Sequence, residues 1–184
     1  FAVELERNWR RVATSSDGYR YGPILGIHLR GSDKKSGRRK VLPCEFDPYV
    51  VDFFATFPST GRVYVATESQ VYADSAARWW AERWGPSRVV VPALTTRVSK
   101  GTPNFKAHQS DQVRVAREVH MDIQMLARCD YLLHGASAVA EAAISLNLRL
   151  HWNSTHLEYK SACEPNATCH DAPWRHREYL SKLG

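Results

Sequence analysis

Short apolar runs alternate with helical stretches along most of this chain, and that alternation limits its fold more than any other feature. Pro23 to Leu29, Arg62 to Thr67, Arg88 to Val91, Tyr131 to Leu133 and Leu148 to Trp152 are short and largely apolar. Such runs predict buried strands. Helical patterns lie between them. Residues 1–13 carry Val3, Leu5 and Trp9 among charges, and Asp47-Pro48 supplies an N-cap and a first helical residue for a helix over Tyr49 to Phe57. Ala77, Trp80, Ala81 and Trp84 form a core-facing stripe that Gly85-Pro86 ends. Asp111 begins a long helix to Arg128, and Ala136 to Leu146 is the last. Buried strands separated by helices define an α/β fold, a parallel sheet with helices on both faces. Residues 1–152 take in this pattern, and 153–184 read as a tail with a disulfide loop and a short helix.

The 184 residues are enough for one domain or for one half of a two-domain enzyme. A chain of this size buries roughly 70% of its unfolded surface, so it needs neither metal nor disulfides simply to fold. With 43% hydrophobic and 24% charged residues it is neither a disordered acidic chain nor a fibre. No apolar run approaches the roughly 20 residues that span a bilayer. The first residue is Phe1, with no signal-like segment behind it, which reads as a processed or truncated product. A net charge of +6 suits an acidic partner: nucleic acid, an anionic membrane surface or a phosphorylated ligand. Cys44 falls in a loop and Cys129 at a helix end, while Cys163 and Cys169 flank a polar loop. Two glycosylation acceptor patterns, Asn153-Ser154-Thr155 and Asn166-Ala167-Thr168, lie in the same tail. Together they favour a secretory compartment, the ER or Golgi lumen or outside the cell. A zinc site on Cys163, Cys169, His170 and His156 would lack the usual ligand spacing.

In parallel α/β sheets, ligands bind beyond the carboxyl ends of the strands. Those ends here are His28-Leu29-Arg30, Ala66-Thr67-Glu68 and Leu133-His134-Gly135, polar where a buried strand needs no polarity. Arg30, followed by Gly31, Ser32 and Asp33, suits a phosphate or pyrophosphate, because a guanidinium donates two parallel hydrogen bonds. Asp33 can hold that guanidinium or the loop backbone, and His28 points to the same edge. The plainer alternative is a surface Arg–Asp pair beside a core histidine. Gly135-Ala136-Ser137-Ala138 opens the last helix with small residues that leave backbone N–H groups accessible to an anion. Simple N-capping by Ser137 explains the same pattern. Asp122 shares a helical stripe with Val115, Val119 and Leu126, so its carboxylate needs a buried donor or a polar ligand edge. The Trp79-Trp80 pair reads as packing.

Gly26 to Lys34 (Gly-Ile-His-Leu-Arg-Gly-Ser-Asp-Lys) resembles the H-x-R-x-x-D motif of GDP-fucose-dependent fucosyltransferases. That superfamily includes α1,6-fucosyltransferases, the rhizobial nodulation fucosyltransferase and protein O-fucosyltransferases. Val63 to Ser69 is similar to its second motif, and Met121 through Leu133 to Glu141 to its third, in the same order and spacing from about Gly26 to Leu150. The resemblance implies a Rossmann-like domain, the C-terminal half of a GT-B glycosyltransferase that binds the nucleotide sugar. It implies that Arg30 binds the β-phosphate and stabilises the leaving GDP, that His28 lies against the nucleotide and that Asp122 faces the guanine edge. Ser137 and Ala138 would hold the pyrophosphate, with Asp33, Thr67 and Glu68 completing the donor site. Fucose would be transferred with inversion to a glycan or protein acceptor, without metal or other cofactor, since arginine and helix N–H groups neutralise the diphosphate. Gly31 replaces a second arginine of the α1,6-fucosyltransferases and Glu68 a usual aspartate. Glu45, in the loop before the second helix, is the candidate general base.

Two other readings compete. A non-catalytic relative would use the same fold as a binding or structural partner, with the first GT-B domain supplied by another chain or missing. A nucleic-acid binder would use the basic loop Lys34, Lys35, Arg38, Arg39 and Lys40, but no stacking aromatics accompany it. Nucleic acid is therefore not an expected partner.

Overall fold

The computed structural model describes residues 1–14, 18, 21–31, 41–94, 96–98, 108–159 and 174. Five strands, β1 (Ile24–His28), β2 (Arg62–Ala66), β3 (Val89–Val90), β4 (Tyr131–His134) and β5 (Ser154–His156), form one sheet. All neighbouring pairs are parallel, in the order β3-β2-β1-β4-β5. Among the described residues the helices are α1 (Ala2–Ala13), α2 (Pro43–Thr56), α3 (Gln70–Ala76), α4 (Glu82–Trp84), α5 (Gln112–Ala127) and α6 (Ala138–Leu146). This is the expected α/β architecture, a Rossmann-like sheet with helices on both faces.

Every residue of β1, β2 and β4 is buried, which is why these strands are apolar on both sides. Leu25, Ile27, Val63, Val65 and Leu133 face α2 and α3, packing on Phe46, Val50, Phe53, Ala76 and Trp80. Ile24, Tyr64, Ala66 and Leu132 face the other way, onto Leu5 and Val12 of α1, Met125 and Leu126 of α5, and Ala140 and Ala143 of α6. At about 25 cal/mol per Å2 of apolar area, full burial of one such side chain contributes roughly 1.5–3 kcal/mol. At the amino end of the two central strands, Asp130 accepts from the Ile24 N–H (2.9 Å), and its own N–H donates to the Ile24 carbonyl (2.9 Å). No described helix is long and apolar enough to cross a membrane.

Three local expectations are corrected. First, α2 starts at Pro43, not at Asp47-Pro48. Pro43 already provides the proline that fits a first helical turn, and Glu45, in that turn, accepts from the Leu42 N–H (2.7 Å). Asp47 instead accepts from the Trp80 indole N–H (2.9 Å), and Pro48 is tolerated inside the helix at the loss of one backbone bond. Second, Ala76 rather than Ala77 joins Trp80 in the core. The helix widens into a π turn over Ala77–Ala81, so residues four apart (Tyr72, Ala76, Trp80 and Trp84) line up on one face. Gly85 then ends it at φ +91°, a conformation that favours glycine. Third, Leu148–His151 is a 3-10 turn, and the fifth strand is Ser154–His156. Asn147 caps that turn by accepting from the Arg149 N–H (3.1 Å), and of its apolar residues only Leu150 faces inward. The sheet thus continues past residue 152, and Trp174 packs edge-on against Phe53 while donating to Asp52 (2.7 Å).

Candidate functional site

The chain runs from β1 outward to β2 and β3, then crosses back to β4 and on to β5. The helices after β1 and after β4 consequently lie on opposite faces, the switch point at which sheets of this kind open a crevice above the carboxyl ends of the central pair. His28 and Arg30 stand on one side of it. Gly135 to Ala138 stand on the other.

Arg30 spans the gap: its Nη1 donates to the Ala136 carbonyl at 3.0 Å. The Ala136 N–H donates to Glu158 Oε2 at 2.9 Å, so the turn leading into α6 is held from both sides. Ser137 caps α6 by accepting from the Val139 N–H (3.2 Å), and Ala138 is its exposed first residue. That helix end carries partial positive charge beside a guanidinium, a combination suited to an anion.

His28 is buried, and its Nδ1 has no hydrogen-bond partner among the described residues. Burial is the main force lowering its pKa to about 4, opposed by Glu68 and reinforced by His134 and Arg30. The ring is therefore neutral at physiological pH and can offer one donor and one acceptor. His134 sits in register with His28 on β4, and His156 in register with His134 on β5. The rings of His134 and His156 meet edge to face at 4.9 Å, and burial also lowers the His134 pKa.

On the β2 side, the Thr67 hydroxyl donates to the Leu29 carbonyl (2.7 Å), tying the two strand ends together. Glu68 Oε1 accepts from the Gly31 N–H (2.8 Å). A Cβ on Gly31 would fall 2.5 Å from Ser69 Cβ, so any other residue here would force the two segments apart. Asp122 lies further down, on α5, where Oδ1 accepts from the Tyr64 hydroxyl at 2.7 Å. Burial raises its pKa to about 7, against the lowering effects of Tyr64 and Arg97. Arg97 Nε in turn donates to the Thr67 carbonyl (3.2 Å), which links Asp122 to the crevice wall.

His28, Arg30, Thr67, Glu68, Ser137 and Ala138 thus share one sheet edge, with Asp122 one step removed. Glu45 is buried in the first turn of α2, not in the preceding loop, and its carboxylate is engaged by the Leu42 N–H. It still lies near that edge, since burial, Glu68 and Glu45, in that order, push the Tyr72 hydroxyl up to about 12. Asp33, Ser32, the basic loop 34–40 and the tail residues Cys163, Cys169 and Asn166 lie outside the described residues. Cys44 is disulfide-bonded, and the buried Cys129 thiol donates to the Met125 carbonyl. Among the described residues, no group of three or more His, Cys, Asp or Glu side chains is placed to hold a metal. Sequence reasoning missed Tyr64, Arg97 and Glu158. Tyr64 alone left a signal, a phenol inside a buried strand that must find a partner.

No protein-family model matches this chain, and no curated protein matches it either.

Proposed function

We propose that this chain is the donor-binding domain of a GDP-fucose-dependent glycosyltransferase, the C-terminal half of a GT-B architecture acting in the secretory pathway. The observation that carries the reading is the Arg30–Ala136 link across the switch point, beside a buried imidazole nitrogen with no partner among the described residues. A buried polar atom without a partner costs about 1–3 kcal/mol, and such an atom in a crevice has a use when a ligand satisfies it. Arg30 and the amino end of α6 would take the diphosphate, His28 a hydrogen-bonding group of the nucleotide, and Asp122 the guanine edge. Transfer would form a bond between the acceptor oxygen and fucose C1 as the C1–O bond to GDP breaks. The acceptor proton passes to a base, and GDP leaves with the bonding electrons, stabilised by Arg30. Calorimetry tests this with GDP and the full chain. Arg30→Ala should weaken binding about 10- to 100-fold, the loss of one or two charged hydrogen bonds, with its fold checked by thermal unfolding. Absent binding, or binding indifferent to Arg30, refutes the reading.

One observation favours a non-catalytic relative with the same fold. The Glu45 carboxylate is buried and engaged in capping α2, a poor setting for removing an acceptor proton. Fucose transfer from GDP-fucose to any glycan or peptide acceptor would exclude that alternative.

A further inference from the structure

The 3-10 turn Leu148–His151 presents an apolar surface that nothing among the described residues covers. Leu150 anchors it, fully buried, while Leu148 and Trp152 on either side are 76% and 79% exposed, and Leu146 before them is 58% exposed. The turn is a firm platform. The Leu150 N–H donates to the Asn147 carbonyl (2.9 Å), and the N–H groups of Trp152 and Asn153 both donate to the Arg149 carbonyl (3.2 and 3.1 Å). The Trp152 indole is set perpendicular to the His151 ring at 5.0 Å. Immediately after it comes Asn153, then β5, an outer strand of the sheet whose far side has no neighbouring strand among the described residues. An exposed indole beside an open strand edge is a self-association hazard that proteins normally cover.

Asn153 itself opens the acceptor pattern Asn153-Ser154-Thr155. Its backbone is committed, since the Leu132 N–H donates to its carbonyl (3.0 Å), but the residue is only half-buried. We propose that Asn153 carries an N-linked glycan whose first sugar covers Trp152 and the outer edge of β5. This rests on the secretory-compartment part of the reading above. The step needs a polyprenyl-diphosphate-linked oligosaccharide as co-reactant. The Asn153 amide nitrogen bonds to the anomeric carbon of its first sugar, the bond from that carbon to the diphosphate oxygen breaks, the lipid diphosphate leaves with the electron pair, and the amide loses one proton to a base. The sugar's C–H face then lies within reach of the neighbouring indole, a contact of the kind aromatic side chains make with sugars and other partly apolar groups. Thr155, whose hydroxyl the transferase must recognise, is buried in the fold. The glycan is therefore attached before β5 docks beside β4.

The full chain, expressed behind a cleavable secretion leader in cultured eukaryotic cells, tests the proposal by peptide mapping. Most of the Asn153-containing peptide should be glycosylated, and release by an amidase should leave aspartate at that position. Asn153→Gln should lose this modification, while Asn166→Gln should keep it. Secreted, folded wild-type chain with its Asn153 peptide unmodified overturns the site. Iodide quenching of tryptophan emission should rise when the glycan is removed from the wild type but not from Trp152→Ser. Equal quenching before and after removal overturns the covering role. A failure to bind GDP touches neither result, so the two proposals fail separately.

Discussion

Replacing Asp122 by asparagine isolates the cost of placing a carboxyl group beneath the sheet. The side chain keeps its shape and can still accept from the Tyr64 hydroxyl 2.7 Å away, but it no longer ionises. In the wild type, burial holds the carboxyl at about 7, against an ordinary value of 3.8. The folded protein thus keeps a proton that the unfolded chain has already released. The stability this supplies is fully present below about pH 4 and is lost as the pH rises towards 7. The whole displacement is worth roughly 4 kcal/mol, and the interval from about pH 5 to about pH 7.5 covers some 2–3 kcal/mol of it. Asp122→Asn lacks that loss. It should match the wild type most closely in acid and exceed it increasingly towards neutral pH. His28 titrates in the opposite sense, since its lowered pKa removes stability as the pH falls from about 6.5 to 4, but it does so equally in both proteins and cancels. In urea titrations the gap between midpoints should widen by about 1 M across that pH range. A gap that stays constant with pH, or narrows as pH rises, refutes the reasoning. It would mean that Arg97 keeps Asp122 ionised throughout.

Two further substitutions probe the crevice walls. Gly31→Ala would set a methyl group 2.5 Å from Ser69 Cβ, and should cost about 1–3 kcal/mol, read as a lowered Tm. Glu45→Ala removes the acceptor of the Leu42 N–H and should cost about 1 kcal/mol, whereas Glu45→Gln, which can still accept, should lose less. GDP affinity should be unchanged in both Glu45 variants, measured by calorimetry beside thermal unfolding.

The same physics explains what could be read from the chain beforehand. β1, β2 and β4 stood out because strands buried on both faces must be apolar throughout, and their polar terminal residues marked the crevice. Periodicity could not show that Tyr72, Ala76, Trp80 and Trp84 share a face, because the π turn changes the repeat. Asp47-Pro48 read as the start of α2, but Pro43 satisfies the same proline rule and the capping bond of Glu45 decides for it. At the site, residue types were legible but their pairings were not. Arg30 meets Ala136, and Tyr64 meets Asp122, across gaps of 106 and 58 residues that no local pattern spans. Gly31 and Glu68 looked like two separate departures from the fucosyltransferase pattern. In the fold they are one feature, a glycine that lets the strands' continuations meet and a longer carboxylate that bonds its N–H.

The stitch that Asp130 makes to Ile24 also bears on how the molecule assembles. β1 and β2 are close in the chain and can pair early, but β1 and β4 meet only when a segment of more than a hundred residues closes. Closing so long a segment is an entropic barrier that local pairings do not face. The crevice is therefore among the last parts of the molecule to exist, and no half-folded intermediate lacking β4 contains it. A ligand that binds there acts on the end of the folding reaction: it slows unfolding of the completed sheet far more than it speeds the first encounters.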